Sequence, residues 1–156
     1  MKIIIIRGHT GTGKTTLTKA ICKEFHYDRI EIDKIKIRKY GTTMKFNPTE
    51  DLYAAAQKAL KITNSHKNVL VEEFFRRKRN IEIFKKAFSG IENHDIIHIR
   101  LEASVETAIL RKDGVIPREE VIKQYQKVIE SIKDEIIFNT DNTSLNEVMT
   151  KLKLVL

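Results

Sequence analysis

Gly8-His9-Thr10-Gly11-Thr12-Gly13-Lys14-Thr15 satisfies G-x-x-x-x-G-K-[ST], a spacing whose chemistry is the grip on a nucleoside triphosphate's phosphates. Gly8 and Gly13 permit backbone turns that a Cβ would forbid, so successive N–H groups converge on one anion. Lys14 adds a point charge for the β- and γ-phosphates, and Thr15 offers a hydroxyl to Mg²⁺. Thr16 follows in the opening turn of a helix whose positive dipole end lies under the same phosphates. The candidate nucleotide-binding stretch is therefore Gly8, His9, Thr10, Gly11, Thr12, Gly13, Lys14, Thr15 and Thr16.

Acids and bases further along supply the remaining parts of a phosphoryl transfer. Asp33 closes a predicted strand, Arg29–Asp33, where a carboxylate takes the proton of an attacking hydroxyl; aspartate is equally a good cap for the helix that follows. The run Val69-Leu70-Val71 ends in Glu72-Glu73, the usual place of the acid that holds Mg²⁺ through water. Strand alternation puts these two on opposite faces, and Glu73, nearer the strand end, is the expected metal acid beside Thr15. Arg76-Arg77-Lys78-Arg79 places cations at a helix start, where the dipole disfavours them, so an anionic acceptor is the expected neighbour. Arg111 and Arg118 flank a short loop containing Gly114. Arginines on such a loop would close over the nucleotide, exclude water and steady the transferring group. The stretch Ile136–Asn142 runs a strand into a polar turn that either meets a base edge or caps the last helix through Ser144.

Apolar β-like runs alternate with helical stretches from end to end, the pattern of an α/β fold whose parallel sheet is covered on both faces. The predicted strands are Lys2–Arg7, Arg29–Asp33, Asn68–Glu73, Asp95–Glu102 and Asp134–Asn139. The predicted helices are Lys14–Phe25, Lys34–Tyr40, Pro48–Ser65, Arg77–Phe88, Ser104–Arg111, Pro117–Lys133 and Ser144–Val155. In an open α/β sheet ligands bind beyond the carboxyl ends of the strands, and every candidate residue above falls at such an end.

At 156 residues one domain over 1–156 is expected. The apolar runs are too short to span a bilayer, so no membrane partner is expected. Cys22 has no second cysteine to pair with, which favours a reducing, cytoplasmic setting. The net charge of +8 suggests an acidic ligand, although lysines spread over amphipathic helices also make an ordinary solvated surface.

The residues G-H-T-G-T-G-K-T-T at 8–16, Asp33, L-E-A-S-V-E-T-A-I-L-R at 101–111 and I-F-N-T-D-N-T-S-L-N-E at 137–147 together resemble the small P-loop kinases of the nucleoside-monophosphate-kinase type. Within them the chain looks most like the group holding polynucleotide 5′-kinase, zeta toxins, chloramphenicol phosphotransferase and gluconate kinase. The resemblance implies a three-layer α/β/α fold, a five-stranded parallel sheet of order 2-3-1-4-5 and a short lid at about 111–118. It also implies ATP with Mg²⁺ as donor and a hydroxyl or phosphate as acceptor. Two positions depart from the group. The arginine that commonly follows the strand-two aspartate by three residues is Lys36 here, and a second lid arginine is replaced by Val115.

The expected function is an ATP-dependent kinase acting on a small anionic acceptor: a nucleotide, a nucleic-acid 5′ end or a phosphosugar. Lys14, Asp33, Arg111 and Arg118 are its expected catalytic groups, and Thr15 with Glu73 its metal side chains. The positive charge allows nucleic acid as a partner without requiring it, and a monomer or dimer is expected. The alternatives are an ATP-binding NTPase switch without an acceptor, and a nucleic-acid-binding protein for which no recognition motif is visible.

Overall fold

A computed structural model of the chain describes residues 1–43, 45–73, 75–86 and 95–156. Its centre is β1 (Lys2–Gly8), whose isoleucines Ile3 to Ile6 are fully buried. A strand apolar on both faces fits only the middle of a parallel sheet. β1 pairs on one side with β3 (Val69–Glu72), Ile3 beside Val69 and Ile6 beside Glu72. On the other side it pairs with β4 (Asp95–Glu102), Lys2 beside Asp95 and Gly8 beside Leu101. β2 (Asp28–Glu31) and β5 (Ile136–Asn139) form the edges, giving the parallel order β2-β3-β1-β4-β5. That is the order the family resemblance implies.

Alternation divides the core in two. Ile3 and Ile5 pack with Leu52, Ala55 and Phe84 from α3 (Pro48–Asn64) and α4 (Lys78–Lys86). Ile4 and Ile6 pack with Leu17 and Ile21 from α1 (Lys14–Phe25) and with Val148 and Leu152 from α7 (Leu145–Leu152). The layers are thus helix, sheet and helix. Above the carboxyl ends lie α2 (Ile32–Tyr40), α5 (Val105–Lys112) and α6 (Arg118–Tyr125). Among the described residues no helix is long and apolar enough to cross a membrane.

The largest departures from the sequence reading are at β2 and α6. β2 stops at Glu31, whose extended backbone caps α2, so Asp33 lies in the first turn of a helix rather than at a strand end. An acid there is favoured by the helix dipole. The predicted helix Pro117–Lys133 ends at Tyr125, and residues 126–135 run on as an irregular strap. Tertiary hydrogen bonds take over the strap's backbone: Glu130 N–H donates to the Arg76 carbonyl at 2.9 Å, and Arg7 donates to the Glu130 carbonyl at 2.7 Å. The predicted helix Arg77–Phe88 is seen as α4 to Lys86, and its last two positions lie outside the described residues.

Candidate active site

The loop between β1 and α1 is shaped by close approaches that only glycine permits. Gly8 has φ +150°, and a Cβ there would sit 2.4 Å from the Leu101 carbonyl oxygen. Gly11 has φ +75°, and its Cβ would meet Ala108 Cα of α5 at 2.7 Å. The contact of Gly11 with α5 is absent from the motif's spacing and was not foreseen. Thr12, 1% exposed, closes the turn by donating its hydroxyl to the His9 carbonyl at 2.8 Å. Lys14 Nζ donates to the carbonyls of Gly8 at 2.8 Å and His9 at 2.7 Å. Burial pulls its pKa down to about 8, against the attraction of Glu72, Glu73 and Asp33.

Thr15 begins the site's acidic side. Its hydroxyl donates to Glu72 Oε1 at 2.6 Å, while the other Glu72 oxygen is held by Arg29. Glu73, the acid expected beside Thr15, instead accepts from Lys36 Nζ at 3.0 and 3.1 Å. The reason is the strand length: β3 ends on Glu72, which is therefore the residue aligned with the loop, and Glu73 turns towards α2. Lys36 also donates to Asp33 at 3.0 Å and lies over the Phe46 ring at 4.6 Å. Burial works against the Lys36 charge, but Glu73 and Asp33 outweigh it and raise its pKa above the ordinary lysine value. This ammonium, 5% exposed, is the internal counter-ion of two carboxylates rather than a cation offered to a ligand.

Two cavities flank the loop. The larger, about 750 Å³, is reached by Gly8, Thr10, Lys14, Thr15, Asp33, Lys36, Glu72 and Glu73, and its far wall is Arg76, Arg77, Arg79 and Lys127. Among the described residues no carboxylate pairs with those four cations, whereas Glu31, Asp33, Glu72 and Glu73 all have a basic partner. One wall is therefore charge-balanced and the facing wall is not. Of the cations Arg76–Arg79 that stood out in the sequence, Arg76, Arg77 and Arg79 line this space and Lys78 does not; Lys127 was hidden inside the supposed long helix.

The smaller cavity, about 560 Å³, lies between α1 and the turn after β5, lined by Thr12, Gly13, Thr16, Arg111, Thr140 and Asn142 among others. Arg111 donates to the Gly11 carbonyl at 3.1 Å, the Thr140 hydroxyl at 2.9 Å and the Thr140 carbonyl at 2.8 Å. Thr140 donates in turn to the carbonyls of Thr12 or Glu102 at 3.2 and 3.1 Å. Asp141 accepts from Ser104 N–H at 2.7 Å, and hydrogen bonds from Thr107 and Ser104 hold its carboxyl below the usual range. Ser144 caps α7 with Glu147 in a reciprocal box, so the polar turn both lines a cavity and starts a helix.

Arg118 is not brought to either cavity. It opens α6 on the exposed side, while Glu120, Gln124 and Lys127 recur at four and three residues and turn inward. α6 is instead fastened through Tyr125, whose ring stacks on His9 at 4.4 Å between centroids and whose hydroxyl donates to the Thr10 carbonyl at 3.2 Å. Burial pushes the Tyr125 phenol up to about 12 and, with Lys14, pulls His9 down to about 4. His9 lines neither cavity and is held in this stack. An aromatic one helix-length beyond Arg118 is the only sequence signal that pointed to it.

The chain is similar to a shikimate kinase of Bacillus anthracis, 25% identical over 98% of this chain and 97% of that one. Its fold is that of a gluconokinase from Sinorhizobium meliloti 1021, with a TM-score of 0.68 and 15% identity over 96% of this chain and 88% of that one. It is equally that of the Mycobacterium tuberculosis APS kinase CysC in complex with AMPPNP and APS, with a TM-score of 0.73 and 12% identity over 97% and 95% of the two chains. Residues 3–109, from the first strand through the loop, Asp33, Glu72 and most of α5, match the AAA domain family AAA_33. The chain belongs to that family, among P-loop proteins of small-kinase type.

Proposed function

We propose that the protein is an ATP-dependent kinase that transfers the γ-phosphoryl group to a hydroxyl or phosphate of a small anionic acceptor. The observation that carries this reading is a second compartment. Beside the phosphate loop lies a cavity of about 750 Å³ lined both by Asp33 and by Arg76, Arg77 and Arg79, which no carboxylate pairs among the described residues. A nucleotide switch has no use for such a space; an acceptor has. The likeness to shikimate kinase and the family membership support the same reaction class.

In this reading the loop amides and Lys14 hold the β- and γ-phosphates, and the smaller cavity takes the base against Thr140 and Arg111. Arg111 thus serves the donor side, fixing the β5 turn to the loop. Asp33 accepts the acceptor's hydroxyl proton, with Lys36 holding its carboxylate in place. Arg76, Arg77, Arg79 and Lys127 bind the acceptor's anionic group and meet charge that develops on the transferring oxygens. The site fits Mg²⁺, because a hydroxyl and a carboxylate meet at 2.6 Å and hard oxygen donors are what that ion takes. Thr15 and Glu72, rather than Glu73, would hold it, and when bound it neutralises phosphate charge. Most of the rate comes from positioning and fixed charge.

The test is transfer of label from γ-labelled ATP to a panel: nucleosides and their monophosphates, 5′-hydroxyl oligonucleotides, sugars and sugar phosphates, gluconate and shikimate. Lys14→Ala and Asp33→Asn run alongside. Label on one anionic acceptor class, lost in both variants, is the expected result. Label released only as free phosphate across the panel overturns the kinase reading in favour of a switch.

A further inference from the structure

Arg7 is the first unusual residue of the scaffold: a fully buried guanidinium closing an otherwise apolar central strand. It is ion-paired with Glu135, itself 2% exposed, and donates to the carbonyls of Phe75 at 3.0 Å and Glu130 at 2.7 Å. Phe75 begins the segment that carries Arg76 and Arg77, and Glu130 belongs to the strap that carries Lys127. One buried cation therefore touches both ends of the unpaired wall.

Glu130 completes the link from the other direction. Its N–H donates to the Arg76 carbonyl at 2.9 Å, and its carboxylate accepts from Lys78 N–H at 2.9 Å. α4 has no acid in its own first turn and opens on Lys78 and Arg79. A negative charge at a helix start satisfies an orphan N–H and offsets the dipole. That cap is supplied here from 52 residues away. Meanwhile Tyr125, at the head of the strap, is fixed to His9 and Thr10 of the phosphate loop.

We propose that Glu130 is a positioning residue for acceptor recognition: it clasps the lid's trailing strap to the start of α4, so that Arg76, Arg77 and Lys127 form one preset wall. The wall's geometry is then set by the strap and not by α4 alone. The functional half of this inference rests on the kinase reading, since the wall matters only if an acceptor meets it.

Glu130 is exposed, so its variants test the clasp without emptying a core site. Limited trypsin digestion needs no acceptor and cuts at Arg76, Arg77, Lys78 and Arg79 when that segment opens. Loss of a charge-assisted cap in Glu130→Ala is expected to raise cleavage there by about tenfold, with cleavage elsewhere unchanged. Glu130→Gln keeps an acceptor oxygen and stays near wild type. In transfer assays with the acceptor found in the panel, Glu130→Ala raises the acceptor KM by about tenfold and leaves the ATP KM alone. Wild-type cleavage rates in Glu130→Ala overturn the clasp. So does faster cleavage at every site, or an equal rise in both KM values, because either describes general loosening. If the wild-type enzyme labels no acceptor, the kinase reading fails while the digestion pattern still decides the clasp.

Discussion

The two cavities on either side of the phosphate loop are built on opposite principles. On the donor side Thr12, Arg111, Thr140, Asp141 and Ser144 are all engaged in hydrogen bonds to one another or to nearby backbone. On the acceptor side Arg76, Arg77, Arg79 and Lys127 line a larger space with no carboxylate on them among the described residues. The first side is preorganised for a ligand that presents the same atoms every time, the second holds charge in reserve for whatever anion it meets. On the kinase reading proposed above, ATP meets a finished hydrogen-bonded surface and the acceptor an unbalanced field.

That contrast can be broken in order of size. Lys14→Ala removes the ammonium held on the loop and is expected to cost about a thousandfold in turnover with every acceptor. A loss confined to one acceptor would erase the distinction between the halves. Arg77→Gln combined with Arg79→Gln is expected to raise the acceptor KM about a hundredfold and leave the ATP KM within about twofold. Equal effects on both would make the cations part of the donor site.

Acid provides a third probe, aimed at the support beneath the acceptor wall. His98 is 5% exposed, neither ring nitrogen has a hydrogen-bond partner among the described residues, and burial with Lys85 and Arg7 nearby, against the pull of Glu135, lowers its pKa to about 4. The unfolded chain binds this proton near pH 6.5 and the folded chain near 4. Stability is therefore full above 6.5 and falls as pH drops through that window, by on the order of 2 kcal/mol at pH 5. Urea midpoints at pH 7 and pH 5 for wild type and His98→Gln measure it, and equal slopes would exclude His98 as the cause. The smallest effect is on the donor side. Thr140→Ala deletes one hydroxyl among several contacts, costing about 1 kcal/mol and a few-fold in ATP KM alone.

The donor half was legible in the sequence because its information is local. The loop glycines, Lys14 and Thr15 are adjacent, and β4 is found over the very residues its apolar run indicates. The sheet order was legible through the family likeness that those motifs carry. The acceptor half was legible in composition but not in geometry. Arg76–Arg79 stood out as misplaced cations, yet the acid beside Thr15 turned on a single residue of strand length, which alternation cannot fix. Val128, Ile129 and Ile132 are compatible with an apolar helical pattern through the strap, whereas its backbone is claimed by Arg76 and Arg7. Lys36 stands where the resembled group carries an arginine, and only the fold brings Glu73 across to neutralise it. Arg7 did leave a trace, since a charge closing a central apolar strand has to be paired somewhere.

The pairing of Arg7 has a consequence for how the chain is assembled. Its counter-ion Glu135 lies 128 residues further on, and the Glu130 carbonyl 123. A ribosome that has made the loop, α1 and most of the sheet has still not made either partner. Until they emerge, a bare guanidinium sits near the carboxyl end of the central strand, opposing the burial that Ile3 to Ile6 drive. The Arg7 end of β1 therefore gains its counter-ion only once Glu135 has joined the fold.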